Sequence, residues 1–113
     1  MNLTPNIQYP LKLKAGVAGE VKVKLITQEA ISPMPSHPDG YPVYVSVHGF
    51  WVKAQSEDNP VCVLPVEGGK GAESSEVVFQ VTPIAKGEIA FQVDMVNAYG
   101  VPFWGRKFTM QVT

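Results

Sequence analysis

"EIAFQVDM", Glu88–Met95, decides the fold class of this chain. Ile89, Phe91, Val93 and Met95 fall on one face of an extended segment; Glu88, Ala90, Gln92 and Asp94 fall on the other. A period of two marks a strand buried on one side. "EVKVKLI" (Glu20–Ile26) sets Val21, Val23 and Leu25 against Lys22 and Lys24, and "KFTMQV" (Lys107–Val112) sets Phe108, Met110 and Val112 against Lys107, Thr109 and Gln111. Four more segments fit: "YPLKLK" (Tyr9–Lys14), "VYVSVHGFWV" (Val43–Val52), "VCVLPV" (Val61–Val66) and "EVVFQVT" (Glu76–Thr82). Pro65 places the third of these at a sheet edge or ends it there.

Turn signals such as "HPDGYP", "EGGKGAESS" and "NAYGVP" separate the segments. Ten Pro and ten Gly spread along the chain work against long helices. Seven short strands with regular turns predict an all-β fold, a seven-stranded antiparallel β-sandwich. A jelly roll or a small barrel is the other layout the pattern fits. The 113 residues suit one domain, residues 1–113, and 45% apolar content suffices for a core.

The net charge of −1 supplies no surplus of Lys and Arg, so no nucleic-acid partner is expected. No apolar run approaches a membrane span and no secretory signal opens the chain, so a cytoplasmic protein with no membrane partner is expected. Cys62 stands alone in an apolar segment and reads as a small buried hydrophobe. Lys12, Lys14, Lys22 and Lys24 read as charges protecting the edge of two neighbouring strands.

"VVFQVTPIAKGEIAFQVDM", a turn and "RKFTMQVT" resemble the last three strands of immunoglobulin-like β-sandwich domains. Trp51 resembles the buried tryptophan on the third strand of antibody-type domains, which implies burial for it here. A second resemblance lies in the loops. Chagasin-like inhibitors of cysteine proteases present three loops to the protease cleft; this chain has "SPMPSHPDGY", "EGGKG" and "YGVPFW" at the corresponding positions. Val101 stands where those inhibitors carry an arginine.

Chemistry-bearing residues are sparse. A hydrolytic triad needs nucleophile, base and acid brought together in space. Ser36, His37 and Asp39 are neighbours in a Pro-rich stretch that points them apart, so no catalytic residue is assigned. A pocket holding His48 beside an acid is the arrangement that would argue for an enzyme. Both histidines precede Cys62, which does not suit a copper loop, and no paired Cys or His ligands suit zinc. No metal and no cofactor are expected.

Two segments qualify as contact sites. "QEAISPMPSHPDGYP" (Gln28–Pro42) is long for a sandwich loop and carries Ile31, Met34 and Tyr41. "NAYGVPFWG" (residues 97–105) carries Tyr99 and Phe103. Counting back from Phe108 by twos puts Trp104 on the inward face, which leaves Tyr99 and Phe103 exposed. The sequence therefore points to a non-catalytic module that binds a protein partner or itself. Binding would use Ile31, Met34, Tyr41, Tyr99 and Phe103 at one end of the sandwich, or an exposed strand edge. A chagasin-like inhibitor and a phage or virus structural subunit are the alternatives.

Overall fold

The alternating segments become nine strands in the computed structural model, which describes residues 3–27, 40–56, 60–65 and 71–113. They are β1 (Leu3–Gln8), β2 (Lys12–Leu13), β3 (Gly19–Thr27), β4 (Tyr41–His48), β5 (Val52–Ser56), β6 (Val61–Leu64), β7 (Val77–Pro83), β8 (Gly87–Val96) and β9 (Pro102–Val112). There is no helix among the described residues. The strands form two sheets, β1-β3-β7-β5 and β2-β9-β8-β4-β6. The first is antiparallel throughout; the second is mixed, because β2 runs parallel to β9.

Nine strands and one parallel pair correct the expected seven antiparallel strands, and two local causes account for the difference. At the N-terminal side, Leu3–Gln8, outside every expected segment, forms β1, and the segment read as Tyr9–Lys14 holds a crossover and the two-residue β2. Pro10 has no N–H for a ladder, so the chain leaves β3 after Gln8 and rejoins the other sheet at Lys12. The lysine stripe expected on two neighbouring strands is thereby divided, with Lys12 in one sheet and Lys22 and Lys24 in the other. The second cause is Gly49, which splits Val43–Val52 into β4 and β5 in different sheets. Trp51 lands in the connection between them, 49% exposed, so its expected burial does not hold.

The core lies between the sheets. Val21, Val23, Leu25, Phe79 and Val81 face Val43, Val45, Phe91, Val93, Met95 and Met110. Phe91 stacks on Phe108 at 5.5 Å between ring centroids, and Tyr9, on the crossover, closes edge-on over both at 5.7 and 4.9 Å. Cys62 is fully buried, and burial pushes its thiol pKa up. β6 ends before Pro65 at the sheet edge, as its proline requires.

The molecule measures 46 × 23 × 20 Å. Strand registers send the chain out of β3, β6 and β8 at one end, where β4, β7 and β9 begin. The connections at residues 14–18, 49–51 and 84–86 lie at the other end.

Candidate contact surface at the β8–β9 loop

The loop between β8 and β9 is organised by one side chain. Asn97 Oδ1 accepts hydrogen bonds from the Tyr99 N–H at 2.9 Å and the Val101 N–H at 3.0 Å. Its backbone N–H donates to the Val101 carbonyl at 2.9 Å, and its carbonyl accepts from the Gly100 N–H at 3.0 Å. Asn suits this place because its short amide satisfies neighbouring backbone groups in a turn. Gly100 takes φ +82, a conformation that a side chain would strain. A five-residue loop is thus tied at four points and holds Tyr99 outward, 72% exposed, beside the exposed Val101.

The start of β9 carries a bulge. Met95 pairs with Trp104 and Val96 with Pro102, so Phe103 is the extra residue. Trp104 packs half-buried against the core and Phe103 remains 43% exposed. Phe103 also lines a pocket of about 170 Å³ with Leu3, Tyr41 and Asn97. Tyr41 therefore shares this pocket with Phe103, but not as an exposed contact residue. It opens β4 opposite Leu64, shares the inward parity of Val43 and Val45, and is 4% exposed. Ile31 and Met34 lie outside the described residues.

A second cluster forms on the outer face of the five-stranded sheet. His48 Nε2 lies 2.6 Å from Asp94 Oδ2, and Gln92 Nε2 donates to Asp94 Oδ1 at 2.8 Å. The residues meet because His48 pairs with Gln92 and Ser46 with Asp94 across β4 and β8, a juxtaposition that sequence distance hides. The two side chains are 59% and 31% exposed on an open sheet face, so this His–acid pair is not held in a pocket. The bond to His48 first, and the bond from Gln92 second, hold the Asp94 carboxyl below its ordinary value of 3.8.

A carboxyl with a depressed pKa contributes stability above its unfolded-state value and loses it as pH falls through the lowered native value. Gly105 stands opposite Asp94, and a Cβ there would lie 2.6 Å from Asp94 Oδ1. Gly105→Ala should turn the carboxylate away from its partners. NMR titration should then place the Asp94 pKa nearer its ordinary value, with acid stability less dependent on this residue. An unchanged titration would show that the carboxylate has room to keep both bonds.

The feature that sequence reading missed lies at the opposite end. Phe50 is 84% exposed and sits edge-on to Trp51 at 4.7 Å between centroids. The available signal was Gly49, which interrupts the apolar alternation immediately before the two rings.

No protein-family model matches the chain, and no curated protein matches it. Solved structures do resemble it. A lipoprotein from Bacteroides thetaiotaomicron superposes with a TM-score of 0.58 at 14% identity, covering 98% of this chain and 80% of that one. A conjugative transposon lipoprotein from Bacteroides eggerthii gives 0.60 at 12% identity, covering 96% and 95%. At such identity the likeness is one of fold: the chain shares an all-β, two-sheet architecture with these lipoprotein domains.

Proposed function

We propose that the chain is a non-catalytic module that works by protein–protein contact through the end that bears Tyr99 and Phe103. The observation that carries this reading is the Asn97-tied loop, which pre-orders an exposed tyrosine beside an apolar pocket. Pre-ordering lowers the entropy lost on binding, and Tyr and Phe are efficient anchors. The order β1-β3-β7-β5 facing β9-β8-β4 supports an immunoglobulin-like layout, with β2 and β6 as additions. In that layout the loops after β3, β6 and β8 share one end, which is the arrangement a chagasin-like inhibitor would also use.

A specific observation favours a second reading, pairing along the β9 edge. The Gln111 and Thr113 N–H groups donate to Leu11 and Leu13, so odd-numbered residues of β9 point their backbone groups away from β8. By the same parity Gly105, Lys107 and Thr109 present theirs on a side where no described strand pairs.

Light scattering during size exclusion, over a range of protein concentrations, tests both. A concentration-dependent oligomer that Tyr99→Ala with Phe103→Ala reduces to monomer supports the loop end. One that only Lys107→Pro reduces supports the edge, because that change removes an N–H that β8 does not use. A monomer that captures no partner through either surface overturns the contact reading.

A further inference from the structure

We infer that the end opposite the β8–β9 loop is a lipid-contacting tip that docks on an anionic membrane surface. Three connections converge there and are fastened to one another. The Gly16 N–H donates to the Pro83 carbonyl at 2.8 Å, and the Ile84 N–H donates to the Trp51 carbonyl at 2.9 Å. Each connection then presents apolar side chains to solvent: Val17 at 51% exposure, Phe50 at 84%, Trp51 at 49% and Ile84 at 50%. Exposed large hydrophobes are ordinary when scattered singly; grouped on a fastened tip they mark an interaction site.

The shape and charge of the tip select the occupant. Phe50 projects from a turn instead of lining a groove, which suits a soft surface that closes around it. Trp51 combines an apolar body with an N–H and belongs at a lipid–water boundary. Lys14 and Lys86 are exposed within these connections, and Lys53 is exposed two residues after Trp51. Residues 14–18, 49–51 and 84–86 contain no acid; Glu20 and Glu88 are exposed two residues after the first and last of them, so three ammonium groups stand against two carboxylates. Apolar insertion flanked by a small excess of ammonium groups is a combination that anionic headgroups attract. The inference concerns a surface at the far end from Tyr99 and Phe103, so either can fail alone.

The test is co-sedimentation of the full chain with vesicles of phosphatidylcholine alone and of phosphatidylcholine mixed with phosphatidylglycerol. The expected result is binding to the mixed vesicles that weakens with salt and shifts tryptophan emission to the blue. Phe50→Ser with Trp51→Ser should weaken it about tenfold or more. Lys14→Glu with Lys86→Glu should weaken it about tenfold and provides an independent arm should the first variant fold poorly. Tyr99→Ala with Phe103→Ala should leave it unchanged. No binding by the wild type overturns the inference, as does binding that survives the serine pair or is equal on both vesicles. A wild-type dimer that the serine pair converts to monomer, without vesicle binding, would assign the tip to a second copy of this chain and overturn the lipid assignment.

Discussion

Phe91→Ala is expected to lower the unfolding free energy by about 3–5 kcal/mol, the usual range for emptying a buried aromatic site. Phe91 is 1% exposed and lies on β8, flanked by β9 and β4 in the five-stranded sheet. Its ring bridges Phe108, stacked at 5.5 Å, and Tyr9, edge-on at 5.7 Å. Removing it withdraws contacts from both neighbours and leaves a void that strands on either side cannot close without breaking ladder bonds. Domains of this size hold about 5–15 kcal/mol in all, so the loss is a large fraction of the total. Urea unfolding should show a midpoint lowered by about 1–5 M, given slopes of about 1–3 kcal/mol per M. A loss below about 1 kcal/mol would show that the aromatic cluster is not where the sandwich is held.

Parity alone makes that core legible in the amino-acid sequence. Ile89, Phe91, Val93 and Met95 are all buried, as are Val21, Val23 and Leu25, because a sheet with one dry face writes its orientation into alternate residues. The same counting places Trp104 inward and Tyr99 and Phe103 outward. It fails where a strand passes from one sheet to the other. Val43, Val45, Val47 and Trp51 keep one parity across Gly49, so a single glycine is the one mark in the pattern that β4 ends at His48. Tyr41 is misread for the converse reason. Neighbouring prolines and glycine read as loop, yet it begins β4 and shares the inward face. The His48–Asp94 contact spans 46 positions and depends on the register of β4 against β8, which local sequence does not encode.

Gly49→Ala is the second change with a large expected effect, because Gly49 is what turns the chain out of the sheet. A Cβ at this position would lie 2.8 Å from Val52 Cγ2, 2.9 Å from the Ala90 carbonyl oxygen and 3.3 Å from Phe91 Cα. Two of these three atoms belong to the β8 backbone, which is held there by its ladder with β9 at Ala90–Thr109 and Phe91–Phe108. The turn must instead lift off β8, and overpacking of this kind costs about 1–3 kcal/mol. Lifting it also loosens Trp51 from its bond with the Ile84 N–H, so the rings and Ile84 would no longer share one surface. The expected result is therefore paired: a lowered urea midpoint and weaker binding to anionic vesicles, although no exposed apolar atom has been removed. Lost stability with vesicle binding intact would mean that the lipid contact needs the apolar residues but not their fastening. Unchanged stability would mean that the turn relaxes freely, and the close approach to β8 would then not explain why the strand ends before Phe50.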